Sequence, residues 1–122
     1  MSQKVLIVDD DPNILDLLKN RLESQSYDVT TCENAINAME TVEKENPNLI
    51  ILDIMMPGIE GTKLCWILKK GEKYNKIPVI IISAKESSDV KRAKEIVGAD
   101  AFLTKPFEAE ELLAKARELL QI

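Results

Sequence analysis

Five short apolar runs, each followed by a segment of helical periodicity, constrain the fold of this chain more than any other feature. Two of the runs, at 4–8 and 48–54, are nearly continuous and rich in β-branched residues, which is typical of strands buried on both faces. The run at 27–31 alternates apolar and polar residues and predicts an edge strand with one face in water. The run at 77–82 predicts a fourth strand, with Pro78 near its start, and the run at 101–104 predicts a fifth.

The segments between these runs predict helices. Asp11 and Pro12 supply an N-cap and a first helical position for the first of them. The fourth helix, from Ser87 or Ser88 to Gly98, has the thinnest apolar stripe. The pattern is (βα)5, which predicts an α/β doubly wound sandwich: a parallel sheet with helices on both faces and right-handed crossovers. The 122 residues, 45% of them apolar, suit one domain with its own core.

Composition excludes several classes of protein. The net charge is −5 and no block of lysine and arginine stands out, which argues against a nucleic-acid surface. No apolar stretch reaches the roughly 20 residues of a membrane span, and aspartates follow the N-terminus too closely for a secretory signal. We therefore expect a cytoplasmic protein. Cys32 and Cys65 lack metal-site spacing and are predicted to be reduced packing residues.

Polar side chains gather where the predicted strands end. Asp9 and Asp10 follow the first strand, Asp53 closes the third, Ser83 ends the fourth and Lys105 follows the fifth. If the first and third strands are neighbours, three carboxylates share one crevice at the sheet edge where doubly wound folds bind ligands. Like charges about 4 Å apart repel by about 4 kcal/mol at an effective dielectric of about 20. Because histidine is absent, the expected counter-ion is a magnesium-like cation on oxygen ligands.

A carboxylate beside such a cation is well placed to attack phosphorus. Asp53 is the predicted nucleophile, Lys105 would neutralise the oxygens of the transferred phosphoryl group, and the Ser83 hydroxyl would hydrogen-bond one of them. Taken singly, an aspartate after a strand is usually a turn or cap residue, and Asp11 fits that description. The joint placement of these side chains at strand ends favours a site.

Four segments carry a resemblance to a known family: VLIVDDDP, LIILDIMMPGIEG, VIIISA and AFLTKPF. In this order and at these intervals they resemble the receiver domain of bacterial two-component response regulators, over essentially the whole chain. The resemblance implies a flavodoxin-like sheet in the order 2-1-3-4-5. It also implies one receiver domain over residues 1–122 with no output domain, which either works alone or is an excised piece.

The resemblance also assigns roles to individual residues. Asp53 is expected to accept a phosphoryl group from the phosphohistidine of a sensor histidine kinase or a phosphotransfer protein. Mg²⁺ is expected on Asp10, Asp53 and the backbone carbonyl of Met55, with Asp9 assisting through water. A cis peptide bond before Pro106 is common in the family and is plausible for an X-Pro bond.

Further positions are expected to transmit and time the signal. By resemblance, Ser83 and Lys105 contact the phosphoryl group, and Phe102 reorients when the Ser83 hydroxyl is drawn inward. Met55 and Lys85 match positions that tune the lifetime of the acyl phosphate. The face formed by the fourth helix, fifth strand and fifth helix would then change its binding to a downstream effector. Such a protein catalyses its own phosphorylation and slow autodephosphorylation but is primarily a switch, either a monomer or a weak phosphorylation-dependent dimer.

Three alternatives belong to other classes. A haloacid-dehalogenase-type phosphohydrolase would use Asp9 as nucleophile, but Asn13 stands where that family prefers Thr or Val, and 122 residues leave no room for its cap. A flavin-binding flavodoxin relative would need a phosphate loop after the first strand, where three aspartates would repel phosphate. The third alternative is a receiver-like scaffold that is not phosphorylated, which a lack of Mg²⁺ binding would favour. We expect no direct contact with nucleic acid or membrane.

Overall fold

The computed structural model describes residues 3–53, 61–83 and 99–120. Its strands are β1 (Lys4–Val8), β2 (Asp28–Cys32), β3 (Leu49–Asp53), β4 (Val79–Ser83) and β5 (Ala101–Thr104). Its helices are α1 (Pro12–Glu23), α2 (Ala35–Glu45), α3 (Gly61–Lys70) and a C-terminal helix (Ala109–Leu120). The predicted fourth helix lies outside the described residues.

The five strands form one parallel sheet in the order β2-β1-β3-β4-β5. The predicted flavodoxin-like α/β fold is therefore confirmed, with β2 at an edge. The strands β2, β3 and β4 begin one or two residues later than the predicted 27, 48 and 77. The loops before β2 and β4 show local reasons for the difference. The Tyr27 amide donates to the Leu22 carbonyl at the end of α1, and Pro78, which has no amide hydrogen, precedes β4 and accepts from the Ile50 amide through its carbonyl.

Helices cover both faces of the sheet, and the sheet divides the core into two layers. Alternate strand residues point to opposite faces, so that Val5 and Ile7 pack towards α1 and the C-terminal helix, while Leu6 and Val8 pack towards α2 and α3. Every residue of β3 is buried. Fully burying each Leu or Ile side chain contributes roughly 1.5–3 kcal/mol, so β3 is firmly held in the scaffold.

Helix α1 begins directly beyond the end of β1. Asp11 has an extended backbone and its carboxylate accepts a hydrogen bond from the Asn13 amide at 2.9 Å, while Pro12 occupies the first turn. This confirms the predicted N-cap and fixes the path of the chain after Asp9 and Asp10. No helix in the described part of the chain combines the length and apolar character that crossing a bilayer requires.

Candidate functional site

Two buried carboxylates lie side by side where β1 and β3 end. Because Val8 is paired with Leu52 in the register of these parallel strands, the next residues, Asp9 and Asp53, meet at the same edge. Asp9 is 0% exposed and Asp53 is 2% exposed. Buried aspartates are rare unless they are paired with a positive charge, so this placement points to a site.

Lys105 supplies the positive charge. Its Nζ donates to Asp9 Oδ2 at 3.1 Å and to Asp53 Oδ2 at 3.0 Å. Lys105 follows β5, which is separated from β3 by β4, so its long side chain crosses the end of one strand, a span of roughly 10 Å at the usual strand spacing. The Lys105–Pro106 peptide bond is cis, as expected.

Asp10 completes a group of three carboxylates with the geometry of a metal site. Each of Asp9, Asp10 and Asp53 offers an oxygen, and these oxygens all lie within 4.8 Å of one another. Asp10 is exposed, which leaves one side open to water, and the Asp11 amide orients Asp9 through a hydrogen bond of 2.9 Å to Oδ1. Three carboxylates face one ammonium group, and their hard oxygen ligands with an open, hydrated side fit Mg²⁺, which keeps several of its waters.

Burial and neighbouring charges compete in setting the pKa values of the site. Burial raises the pKa of the Asp9 carboxyl, and the negative charge of Asp53 raises it further. Hydrogen bonds from the Asp11 amide and Lys105 lower it, but the pKa stays above its ordinary value. For Lys105, burial lowers the pKa, but hydrogen bonds to Asp53 and Asp9 outweigh burial and leave the pKa above its ordinary value. Lys105 is therefore charged at neutral pH, and a second cation would favour the ionised form of Asp9.

The other predicted site residues are placed to different degrees. Ser83 is the last residue of β4 and is paired in register with Thr104, so its backbone lies at the same edge as Asp53. Phe102 lies inside β5, half-buried against the core layer of α2 and α3. Met55 and Lys85 lie outside the described residues.

An apolar pocket beside Lys105 was not predicted from the sequence. It has a volume of about 340 Å³, and its lining includes Leu17, Leu18, Pro106 and Phe107 as well as Lys105. Leu17 is 56% exposed. The only sequence signal for this pocket is that Leu17 falls outside the apolar stripe of α1, whose buried members are Leu15, Leu18 and Leu22.

Comparison with known proteins decides the family. The family model described as the response regulator receiver domain matches residues 5–117. The chain belongs to this family. The matched range includes Asp9, Asp10, Asp53 and Lys105, which form the carboxylate and lysine cluster. Membership identifies the chain as a receiver domain of two-component signalling, and it favours phosphorylation-dependent signalling over the phosphohydrolase and flavin-module alternatives.

Individual relatives agree with this assignment. The receiver domain is similar to the DNA-binding dual master transcriptional regulator RpaA of Synechocystis sp., with 39% identity over 97% of this chain and 49% of that protein. The chain thus spans about half the length of this curated relative.

Solved receiver structures superpose closely on the chain. A CheY-like response regulator receiver domain protein from Methanospirillum hungatei is 33% identical, with a TM-score of 0.92 and coverage of 98% of this chain and 94% of the other. The signal receiver domain of a signal transduction histidine kinase from Syntrophus aciditrophicus is 32% identical, with a TM-score of 0.91 and coverage of 98% and 90%.

Proposed function

We propose that this receiver domain is a switch in which Asp53 accepts a phosphoryl group from the phosphohistidine of a sensor histidine kinase or a phosphotransfer protein. The observation that carries the proposal is the position of the Asp53 carboxylate. It ends a fully buried strand, lies 3.0 Å from Lys105 Nζ and shares a cluster with the oxygens of Asp9 and Asp10. We place the switch in the cytoplasm, in keeping with the buried thiols Cys32 and Cys65.

The transfer step exchanges one bond to phosphorus for another. An oxygen of Asp53 attacks the phosphorus, the bond from phosphorus to the imidazole nitrogen breaks, and the electron pair of that bond stays with the imidazole. Bound Mg²⁺, held by Asp10, Asp53 and the Met55 carbonyl with Asp9 assisting through water, would supply charge neutralisation at the phosphoryl oxygens. Lys105 donates to one of those oxygens from its present position beside Asp53.

The phosphoryl group carries about −1.5 to −2 of charge and replaces the single negative charge of the Asp53 carboxylate, at an edge that also holds the carboxylates of Asp9 and Asp10. In the proposed switch, the Ser83 hydroxyl moves towards the new oxygens and Phe102 turns into the space that opens. The position of Ser83 at the end of β4, beside the strand that carries Phe102, supports this link. The face that includes β5 and the C-terminal helix then changes its affinity for a downstream effector, and Met55 and Lys85 tune the lifetime of the acyl phosphate.

The apolar pocket beside Lys105 supports docking of the phosphoryl donor there. A donor must bring its imidazole to Asp53 while it contacts the surrounding surface. Leu17 exposes more than half of its surface at this pocket, and Lys105 belongs to both the pocket and the cluster. We propose that the histidine kinase or phosphotransfer protein inserts an apolar side chain between α1 and the segment after β5.

Acetyl phosphate tests the nucleophile without a partner protein. With Mg²⁺ present, the wild-type chain should gain the mass of one phosphoryl group, and Asp53→Asn should gain none. Asp28→Asn, which changes an exposed aspartate at the opposite end of the sheet, is the matched control and should be labelled like wild type.

Each contrary result has a defined meaning. Labelling of Asp53→Asn at the wild-type level would refute the assignment of the nucleophile. Hydrolysis of a phosphate ester that survives this substitution would favour the phosphohydrolase with Asp9 as nucleophile. A wild-type chain that neither labels nor binds Mg²⁺ would be a receiver-like scaffold.

A further inference from the structure

The end of α3 and the turn after it form a basic and apolar surface on an acidic chain. Trp66 and Ile67 are 46% and 40% exposed. Three exposed lysines follow them within ten residues, Lys70, Lys73 and Lys76. We call these five residues the α3 patch. The surrounding segment 69–76 holds four lysines and one acidic residue, whereas the whole chain has a net charge of −5.

The backbone beneath the α3 patch is firmly held. Leu64, Cys65 and Leu68 are buried and fix α3 against the sheet. Lys69 is turned inward, where its Nζ lies 2.7 Å from Asp100 Oδ2 and donates to the Ile77 carbonyl at 2.8 Å. This pair ties the turn to the starts of β4 and β5, so the outward side chains are presented on a fixed support and little ordering would be lost when they bind.

The patch joins an apolar anchor to positive charge. Trp66 and Lys70 are four residues apart in one helix and so lie on the same face. Lys73 Nζ lies 5.4 Å from the centre of the Tyr74 ring, which keeps this lysine next to the end of the helix. Isolated exposed apolar residues are ordinary on protein surfaces. Here two of the four large exposed apolar residues in the described part of the chain are adjacent and border the lysines.

We propose that the α3 patch binds a short acidic segment of a partner protein, with an apolar side chain of that segment packed on Trp66 and Ile67. Tryptophan is among the residues most enriched in binding hot spots, and the surrounding lysines favour a partner of negative charge. The complementary charge is negative, and the apolar anchor distinguishes a peptide from a bare polyanion. Nucleic acid or an anionic bilayer would extend beyond the patch and be repelled by the acidic remainder of the chain. A short peptide that stays within the patch avoids most of this repulsion, because charges are screened beyond about 8 Å at physiological ionic strength.

The proposed contact is separate from the phosphoacceptor chemistry. No residue of the α3 patch belongs to the carboxylate and lysine cluster, and binding there does not require Asp53 to be phosphorylated. Failure of the phosphorylation experiment would therefore leave this proposal standing, and the reverse also holds.

A random peptide library displayed on phage tests the chemistry of the partner. The library is panned on the immobilised full chain and, in parallel, on the double variant Lys70→Glu/Lys73→Glu. Peptides enriched on the wild-type chain should carry an excess of Asp and Glu around an apolar residue, and they should be lost on the double variant. Enriched peptides without that acidic excess, or with equal recovery on the double variant, would overturn the proposal.

Trp66 is the only tryptophan in the chain, so its fluorescence measures binding at the α3 patch directly. A synthetic copy of the most enriched peptide should shift the Trp66 emission to shorter wavelength. Lys70→Glu/Lys73→Glu should weaken binding about tenfold, because it removes two exposed ion pairs, each of which typically changes affinity only a few-fold. Lys115→Glu, a charge reversal on the C-terminal helix, should leave the affinity at the wild-type value.

Two further probes distinguish the other classes of ligand. A single-stranded poly-dT oligonucleotide and phosphatidylglycerol vesicles are titrated at physiological salt with the same readout. Both should bind more weakly than the peptide, and tighter binding of either would overturn the proposal. Circular dichroism of each variant should match wild type, since all of the substituted side chains are exposed.

Discussion

Replacing Lys105 with methionine should destabilise the metal-free protein more than any other single lysine change in the described chain. Lys105 Nζ lies 3.1 Å from Asp9 and 3.0 Å from Asp53, and both carboxylates are buried. Methionine keeps the apolar stem of the side chain and removes only the charge. Removing one partner of a buried ion pair typically costs 3–5 kcal/mol, and we take the lower value, about 3 kcal/mol, because Lys105 is partly exposed.

The size of this effect can be measured by thermal unfolding in EDTA. For a chain of this length, a loss of about 3 kcal/mol lowers the melting temperature by about 12 °C. Lys115→Met is the control, because Lys115 is exposed and lies 3.8 Å from Glu118 in a surface pair worth at most about 1 kcal/mol. Saturating Mg²⁺ should reduce the deficit of Lys105→Met, since a divalent cation between the carboxylates replaces the lost positive charge.

The pH dependence follows from the direction of the pKa shift. The pKa of Lys105 is raised in the folded state, so its contribution to stability is complete below the unfolded pKa and is lost only as the pH rises through the folded pKa. The deficit of Lys105→Met should therefore be full at pH 7. It should shrink in acid as Asp9, whose pKa is raised by burial, becomes protonated. A melting temperature equal to wild type in EDTA, or a deficit that Mg²⁺ does not reduce, would refute this account of the site.

Three further predictions concern other parts of the molecule. Asp9→Asn should raise the melting temperature in EDTA by a few degrees, because burial disfavours the charged form of Asp9 and raises its pKa; a lower melting temperature would contradict this. The same substitution should weaken Mg²⁺ binding measured by calorimetry. Cys65 should resist iodoacetamide at pH 8 in the folded protein, since burial raises its pKa to about 11, and rapid labelling at that pH would contradict burial. Because the folded state favours the protonated thiol, the free energy of unfolding should fall as the pH rises from about 9 to about 11. Lys69→Met should cost about 1 kcal/mol in urea unfolding, because it removes the ion pair with a partly exposed Asp100 that keeps its hydrogen bond from the Val79 amide. An unchanged midpoint would show that the pair is not stabilising.

The sheet and the acidic cluster could be predicted from the sequence because both follow from short-range pattern and strand order. Apolar runs such as 49–52 are long enough to identify buried strands, and the carboxyl ends of parallel strands meet by geometry. The strand starts were wrong by one or two residues because hydrogen bonds in the preceding loops set them, as between the Tyr27 amide and the Leu22 carbonyl.

The surface features could not be predicted because they depend on which side chains remain uncovered after packing. Leu17 and Trp66 look like ordinary helix residues in the sequence, and only their exposure reveals the pocket and the α3 patch. Four lysines lie within residues 69–76, but the sequence does not show that Lys69 turns inward to Asp100 while the lysines at 70, 73 and 76 face outward.

The position of Asp53 at the end of a wholly buried strand separates chemistry from partner choice. The reactive carboxylate is held by the interior of the sheet, whereas the outer sides of α1 and α3 are set by residues that contribute little to that interior. Outward residues of these helices can therefore be exchanged with those of a related chain without disturbing the reacting group. This makes the molecule a suitable starting point for rewiring a signalling pathway by grafting surfaces alone.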